Sequence, residues 1–288
     1  MSDAQGWPAL TSDDSTRWVM WRSGADSENT ISLASLDDSL GEVDRREVTT
    51  HATWYSSPSI QWAGDHFGAA WSAFSTGPFP YEQGAWFAPL DERGTRTAFG
   101  SAVSAWGDCF CVPAIAFNGS LWGVATENDG FTADQNGYAI GFALVGRDGV
   151  SAQEASLISS PTVPADNPSL LWTGSGFVAG WSNGDRSGSL LTMTSTGGPI
   201  RRSHIEEADH LAMSHRDGDL FVTVTFDGMM RVARYASDLT VLDPFVPLAI
   251  QNGSRRIVQT ITPAGLWVFW SEQNPGKLRA TRVQCSDS

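Results

Sequence analysis

Basic residues are scarce in this chain of 288 residues, with 18 Lys and Arg against 32 Asp and Glu, a net charge of −14 and a pI near 4.6. That balance excludes a phosphate-backbone binder, because nucleic-acid affinity rests on clustered Lys and Arg. No uninterrupted apolar run of membrane-spanning length occurs, and the start MSDAQGWPAL lacks the basic and apolar regions of a secretory leader. No membrane span is expected, and the chain as it stands reads as soluble and cytoplasmic, or extracellular if a leader has been removed. Cysteine is limited to Cys109, Cys111 and Cys285. Three thiols cannot pair fully, and alternate strand residues point to opposite sides, so a bridge within Cys109-Phe110-Cys111 would be strained and no disulfide framework is implied. Sustained 3.6-residue periodicity is also missing, which argues against helices.

Glycine and tryptophan are abundant, at 29 and 13 residues. Both belong to one recurring unit, Pro-Ser-apolar-x-Trp, a tight Gly turn, then aromatic-x-x-x-Trp-Ser. It reads PSIQWAGDHFGAAWS from Pro58, PAIAFNGSLWGVATE from Pro113 and PSLLWTGSGFVAGWS from Pro168, with both steps 55 residues. Weaker copies start at Pro8, His210 and Gln259. A second anchor, an apolar strand ending at Leu36, Leu90, Leu144, Met193, Tyr235 and Val283, gives the same count of six. Short apolar stretches between Gly, Asn and Asp make each unit a four-stranded meander. In the third unit the predicted strands are Ala114–Phe117, Leu121–Thr126, Tyr138–Val145 and Val150–Ile158. Four-stranded units of this length are the signature of a β-propeller. The expected fold is therefore all-β: a single domain over 1–288, a six-bladed propeller with four-stranded antiparallel blades around a central channel. Its blades are expected near 8–50, 51–104, 105–160, 161–207, 208–252 and 253–288. After Val283 only QCSDS remains, so the sixth blade is expected to close short, or to borrow a strand from before Trp7.

The repeat resembles those of bacterial extracellular propeller proteins, in which Pro-Ser-Leu-x-Trp-x-Gly-x-x-Phe recurs once per blade. The resemblance covers nearly the whole chain and implies a fold, not an activity. The Trp-Asp dipeptide of WD40 blades is absent, and the paired glycines of kelch blades do not recur. The Ser-x-Asp-x-Gly-x-x-Trp box of sialidases has its nearest copy at Ser214-His215-Arg216-Asp217-Gly218, with the Asp one place late, which argues against a sialidase.

In such a meander the A–B and C–D turns share one face, and the B–C and D–A connections the other. The A–B turns are tight: Ala63–His66, Asn118–Ser120, Thr173–Gly176 and Pro263–Gly265. Long connections at Ser72–Gly84, Thr126–Gly137, Thr50–Ser57 and Ser101–Val112 place function on the B–C and D–A face, weighted to blades two and three. These loops carry Trp54, Tyr55, Phe79, Tyr81, Trp106, Phe110 and Phe131 beside His51, Glu82, Asp108, Glu127, Asp129 and Asp134. Flat apolar rings next to carboxylates suit sugar recognition, the rings stacking on C–H faces while carboxylates fix hydroxyls; loop mini-cores are the structural alternative. The leading expectation is a lectin-like binder of carbohydrate or another small molecule through Trp54, Tyr55, Tyr81, Glu82, Trp106 and Asp108. A second is a hydrolase, lyase or cyclase, Ca²⁺-dependent or not, at the channel mouth, with His51 or His210 as base and Asp108, Glu127 or Asp129 as acid or metal ligand. A third is a protein-interaction scaffold.

No cofactor is required by any motif. Ca²⁺ is possible where Asp108, Asp166 and Asp209 begin three A strands. No His-Glu-x-x-His or comparable ligand spacing exists, and His210 and His215, about 16 Å apart on one strand, cannot share a metal. Gly180-Trp181-Ser182-Asn183-Gly184 matches a nucleophile-elbow pattern, but that pattern requires a helix next and strand Ser189–Thr194 is expected instead. The same Trp-Ser pair closes Trp71-Ser72 and Trp270-Ser271, so Ser182 reads as part of the blade repeat. Trp62, Trp71, Trp172, Trp181 and Trp270 recur at fixed blade positions and are expected to pack between blades. Arg45-Arg46, Arg201-Arg202 and Arg255-Arg256 are the basic pairs, able to clamp an anionic group or to neutralise neighbours.

Overall fold

The fold was described in a computed structural model. It covers residues 4–13, 15–24, 30–49, 54–55, 58–74, 84–98, 101–104, 113–128, 138–248, 254–262, 265–272 and 278–283. The chain is all-β, and among the described residues 24 strands form six successive antiparallel sheets, the blades of a six-bladed β-propeller. Blade one holds β1 (Ala4–Ser12), β2 (Arg17–Ser23), β3 (Thr30–Leu36) and β4 (Glu42–Glu47). Blade two holds β5 (Trp54–Tyr55), β6 (Ser59–Trp62), β7 (Phe67–Phe74), β8 (Gly84–Leu90) and β9 (Ser101–Ser104). Blade three holds β10 (Ala114–Phe117), β11 (Leu121–Asn128), β12 (Ala139–Gly146) and β13 (Ser151–Leu157), within a residue or two of the expected strands. Blade four holds β14 (Ala165–Trp172), β15 (Phe177–Asn183), β16 (Gly188–Met193) and β17 (Pro199–Ile205). Blade five holds β18 (His210–Arg216), β19 (Asp219–Phe226), β20 (Met229–Ala236) and β21 (Val241–Leu248). The last blade holds β22 (Ser254–Thr262), β23 (Gly265–Glu272) and β24 (Leu278–Val283).

Two blades depart from the four-strand expectation. Among the described residues the sixth has three strands, in the order β22-β23-β24. Ala4 to Gly6 belong to β1, where Ala4 pairs with Ser23 and Gln5 with Arg22 as the inner strand of blade one. In blade two the inner strand is split: β5 pairs Trp54 with Phe74 and Tyr55 with Ala73, whereas β6 pairs Ser59 to Trp62 with Ala70 to Phe67. Trp54 and Tyr55 therefore sit in the ladder, not in a free D–A loop. The intervening Ser56-Ser57-Pro58 breaks the alternating pattern, and Pro58 has no N–H to give.

The chain divides into two compact units, Met1–Thr162 with the first three blades and Val163–Ser288 with the last three. In the first, Trp18, Met20, Ile31 and Leu33 of blade one pack against Ile60, Phe67, Trp71 and Leu90 of blade two. Ala70 and Phe87 of blade two meet Ile115, Trp122, Val124 and Val145 of blade three. In the second unit, Val178 and Leu190 meet Leu211, Met213 and Val222, and Ala212, Met230 and Val232 meet Ile257, Val268 and Trp270. Burying these side chains is the main stabilising term, at roughly 25 cal/mol per Å² of apolar surface.

The recurrent aromatics explain themselves in this packing. Trp21, Trp71, Trp181 and Trp270 are all buried in the second strand of their blades. At the start of that strand a ring meets one from the end of the inner strand, with centroids 4.5 Å apart for Trp62–Phe67, 4.8 Å for Phe117–Trp122 and 5.0 Å for Trp172–Phe177. Blade three keeps the pair but exchanges the two rings. Basic pairs on two outer strands close over the same tryptophans: the Arg45 guanidinium stands 5.0 Å from the Trp21 ring, and that of Arg202 stands 5.2 Å from Trp181. Burial pushes the Arg202 guanidinium below its ordinary pKa.

The C–D turns repeat one geometry. In Asp37–Gly41, Asp91–Thr95, Gly146–Val150, Thr194–Gly198 and Ala236–Thr240 the first N–H donates to the fifth carbonyl, and the fourth N–H donates back to the first carbonyl. The fourth residue is left-handed each time, with φ 63° at Leu40, 74° at Gly94, 81° at Gly149, 81° at Gly197 and 65° at Leu239. That is a type I turn completed by a bulge, the common three-residue hairpin solution. A short side-chain oxygen locks each loop: Asp37 Oδ1 accepts from the Ser39 and Gly41 N–H groups, Asp91 Oδ1 from Arg93 and Thr95, and Thr194 Oγ1 from Gly198.

Candidate functional site on the B–C and D–A face

On the face that carries the long connections, the strand ends are tied down by hydroxyls. In blade one the Ile31 N–H donates to Thr49 Oγ1 at 2.9 Å, and in blade three the Ile140 N–H donates to Ser159 Oγ at 2.8 Å. The hydroxyl thus follows the outer strand and satisfies the first part of the third strand in both blades. Ser23 Oγ lies 2.7 Å from Ser32 Oγ and 3.0 Å from Thr30 Oγ1, extending this polar seam in blade one. Glu127 and Asn128 are buried at the end of β11, opposite Ile140 and Ala139. A buried carboxylate and amide at the root of a long connection are a polar foundation rather than apolar core.

In the second unit the B–C and D–A turns carry a charged cluster of their own. The turn Asn183–Ser187 is closed by the Asn183 N–H on the Ser187 carbonyl at 2.7 Å, with Arg186 left-handed at φ 65°. Arg186 grips Asp209 through two parallel bonds, Nε to Oδ1 at 2.9 Å and Nη2 to Oδ2 at 3.0 Å, and reaches Asp227 Oδ1 at 2.5 Å. Its guanidinium lies 4.4 Å from the Phe226 ring, and the Asp227 N–H donates to Asp209 Oδ2 at 3.1 Å. The Arg186 hydrogen bonds hold the Asp209 carboxyl below its usual range, and Asp209 and Asp227 together raise the guanidinium above its own. Beside it Arg231 Nη1 pairs with Glu207 Oε2 at 2.9 Å. Trp181 donates its indole N–H to Asn183 Oδ1 at 3.0 Å, and Asn183 Nδ2 donates to Ser187 Oγ at 2.9 Å and Ser189 Oγ at 3.1 Å.

These positions bear directly on the expected site residues. Asp209 is bound to Arg186, so its carboxylate is an ionised structural acceptor. Asp166 is exposed at the start of β14, where its Oδ1 accepts from Asn167 Nδ2 at 2.9 Å. Among the described residues no three His, Cys, Asp or Glu side chains stand close enough to share a cation. His210 opens β18 opposite Thr225, and His215 lies near its far end opposite Leu220. Ser182 is buried within β15, and the chain turns directly into β16 with no helix, so it has none of the exposure of an elbow nucleophile. His51, Tyr81, Glu82, Trp106, Asp108 and Asp129, with Phe79, Phe110, Phe131 and Asp134, lie outside the described residues, as do the three cysteines. Only the backbone of Trp54 and Tyr55 is described.

Sequence reasoning missed the Arg186, Asp209, Asp227 and Phe226 cluster. One signal was available: Asp227-Gly228 between apolar strands marks a two-residue hairpin, and the structure pairs Phe226 with Met229 around it. The opposite, tight-turn face was assigned no function and holds an open depression of about 400 Å³ in blade one, lined by Ser15, Trp18, Leu36, Asp37, Asp38 and Val43 among others.

Searches against protein-family models and against curated proteins return no match. Solved structures do resemble the chain. A hydrazine synthase of Kuenenia stuttgartiensis aligns over 96% of this chain and 82% of its own at TM-score 0.60 and 12% identity. A Trypanosoma rangeli sialidase in complex with sialic acid aligns over 95% of this chain and 52% of its own, at TM-score 0.56 and 7% identity. The GH43_1 enzyme of Xanthomonas citri, complexed with xylotriose, aligns over 100% and 90% at TM-score 0.52 and 9% identity. At such identities the likeness establishes the propeller fold and nothing finer.

Proposed function

We propose that this protein is a carbohydrate-recognising propeller, binding its ligand on the B–C and D–A face of blades two and three. The observation that carries the reading is the asymmetry of the chain's long connections. Those between β7 and β8, between β9 and β10, and between β11 and β12 are long, and their sequence includes Phe79, Tyr81, Glu82, Trp106, Asp108, Phe110, Phe131 and Asp134. The B–C turns of blades four and five, Asn183–Ser187 and Phe226–Met229, are short. Aromatic faces for sugar C–H surfaces, next to carboxylates for hydroxyls, form a coherent ligand chemistry. Support at the level of fold comes from a sialidase with sialic acid and a xylotriose-bound enzyme among the similar structures. The blade repeat, which resembles those of bacterial extracellular propellers, agrees with a role on outward-facing glycans.

The test is a thermal-melt and tryptophan-fluorescence screen against a glycan panel, run with Ca²⁺ and with chelator. A glycan-dependent shift insensitive to chelator, abolished by Trp106→Ala and by Asp108→Ala, is expected. A panel without any shift, or variants that bind as the native protein does, would overturn the reading. A shift produced by Ca²⁺ alone would move the chemistry to the carboxylates instead.

A further inference from the structure

In blades two, three and four a pair of rings flanks the A–B turn: Trp62 with Phe67, Phe117 with Trp122 and Trp172 with Phe177. Each of these turns is closed by one main-chain bond, from the Ala63 N–H to the His66 carbonyl, from Asn118 to Leu121 and from Thr173 to Gly176. Blade one makes the same turn, with the Asp13 N–H donating to the Thr16 carbonyl, but the residues that flank it and pair across the ladder are Ser12 and Arg17. Arg17 sends its guanidinium to the Asp37 carbonyl at 3.3 Å and to Asp38 Oδ1 at 3.1 Å. Two rings are thus replaced by a hydroxyl and an outward-reaching cation, and the depression of about 400 Å³ stands at this end of blade one.

Its lining is part apolar and part polar. Trp18 and Leu36 are buried beneath it, and Val43 stands at its rim. The β3–β4 pairing passes from Ser35 with Asp44 to Leu36 with Glu42, so Val43 is the extra residue of a bulge and its side chain is 68% exposed. On the polar side Ser35 is only 8% exposed, and among the described residues its hydroxyl bonds to nothing. A hydroxyl so nearly buried and without a partner calls for one. Asp37 commits Oδ1 to the turn, accepting from the Ser39 N–H and hydroxyl and from the Gly41 N–H, which leaves Oδ2 outside those bonds. The Ser39 and Gly41 bonds hold its carboxyl below the usual range, so it is ionised at neutral pH. Asp38 is balanced by Arg17, and among the described residues no basic side chain lines the depression.

We propose that this depression binds a small primary ammonium ion carrying a short hydrocarbon chain. Its N–H groups donate to Ser35 Oγ and to the Asp37 carboxylate, and its carbon chain lies against Leu36 and Val43. An anionic ligand would meet the two carboxylates, and a neutral one would forgo the charge of Asp37. The site belongs to the tight-turn face and does not rest on the glycan reading.

The experiment titrates the isotope-labelled full chain with n-butylammonium, n-butyltrimethylammonium and n-butanol, read by amide and indole NMR shifts. The trimethyl ion keeps the charge and has no N–H to donate, and the alcohol keeps the chain without the charge. Saturable shifts of the Trp18 indole and the Ser35 and Leu36 amides are expected with n-butylammonium, at an affinity at least about tenfold above that of either control and weakening with salt. Asp37→Asn, which keeps the side-chain oxygen that the turn uses, and Ser35→Ala are each expected to weaken binding by about threefold or more while leaving the melt unchanged. No shift of these resonances with n-butylammonium, or equal binding of the trimethyl ion or the alcohol, would overturn the proposal. The comparison of the three probes needs only the native protein, so it stands whether or not a variant folds. Undiminished binding by both folded variants would overturn it as well.

Discussion

Gly68 in β7 faces the Trp122 ring of the next blade, and a side chain there tests the inter-blade packing. A Cβ at Gly68 would stand 2.7 Å from Cε2, Cζ2 and Cη2 of Trp122 together. Ordinary contact begins at 3.4 Å, so the ring must withdraw by about 0.7 Å. It has little room to do so. Trp122 is fully buried, its indole N–H donates to His66 Nε2 at 3.3 Å, and Phe117 and Phe87 stand 4.8 Å and 5.5 Å away by ring centroid. Asp65 in turn holds His66 through Nδ1 at 2.5 Å, and Arg147 from blade three bonds to Asp65. Overpacking of this kind costs about 1–3 kcal/mol. Gly68 has no positive φ, so Gly68→Ala recovers about 0.4–1 kcal/mol by restricting the unfolded chain. A net loss of about 1–2 kcal/mol is expected, read by urea denaturation with an unchanged m value. Trp122→Phe makes space at the same point, so a double-mutant cycle should return a coupling of about 1 kcal/mol or more. A Gly68→Ala protein as stable as the native one, or effects that simply add, would refute the packing argument.

Two further outcomes follow from the second unit. Ser182 Oγ is buried without a hydrogen-bond partner, so Ser182→Ala should leave stability unchanged or raise it by up to about 1 kcal/mol, and leave glycan binding intact; a clear loss of either would restore a working role for the hydroxyl. Arg186→Met removes the group that depresses the Asp209 carboxyl. A depressed carboxylate contributes stability above its unfolded value near 3.9, and that contribution is lost as pH falls through the folded value. The native protein should therefore exceed the variant in melting temperature at pH 7, the gap narrowing below about pH 4; a gap as large in strong acid as at neutrality would refute the pairing.

The blade grammar was legible because it is local. Pro113 to Ile158 predicts its own four strands through turn residues and alternation, and the structure moves their ends by only a residue or two. β5 was read as loop because Ser56-Ser57-Pro58 interrupts the pattern, whereas its pairing with Phe74 and Ala73 comes from a strand many residues later. Asp209 reads in the sequence as a candidate Ca²⁺ ligand because no cationic partner stands near it in the chain. Its partner Arg186 lies 23 residues away, on a left-handed turn that brings the guanidinium back across the blade. Arg45 and Arg202 were recognised as members of basic pairs, but their position over Trp21 and Trp181 depends on the registers of the two outer strands.

The repeated C–D turn gives the protein a surface that can vary without disturbing what lies beneath it. Its shape is set by two main-chain bonds and one short side-chain oxygen, and the left-handed place accepts Leu40 or Leu239 where other blades have glycine. Ser39 and Thr196 hydrogen-bond within their own turns, to Asp37 and Thr194, and the ring pairs within the blades do not involve them, whereas Arg147 in the blade-three turn is committed to Asp65. A dye, an affinity tag or a grafted recognition peptide placed at Ser39 or Thr196 would ride on a rigid five-residue frame while the opposite face continued to present its ligand chemistry.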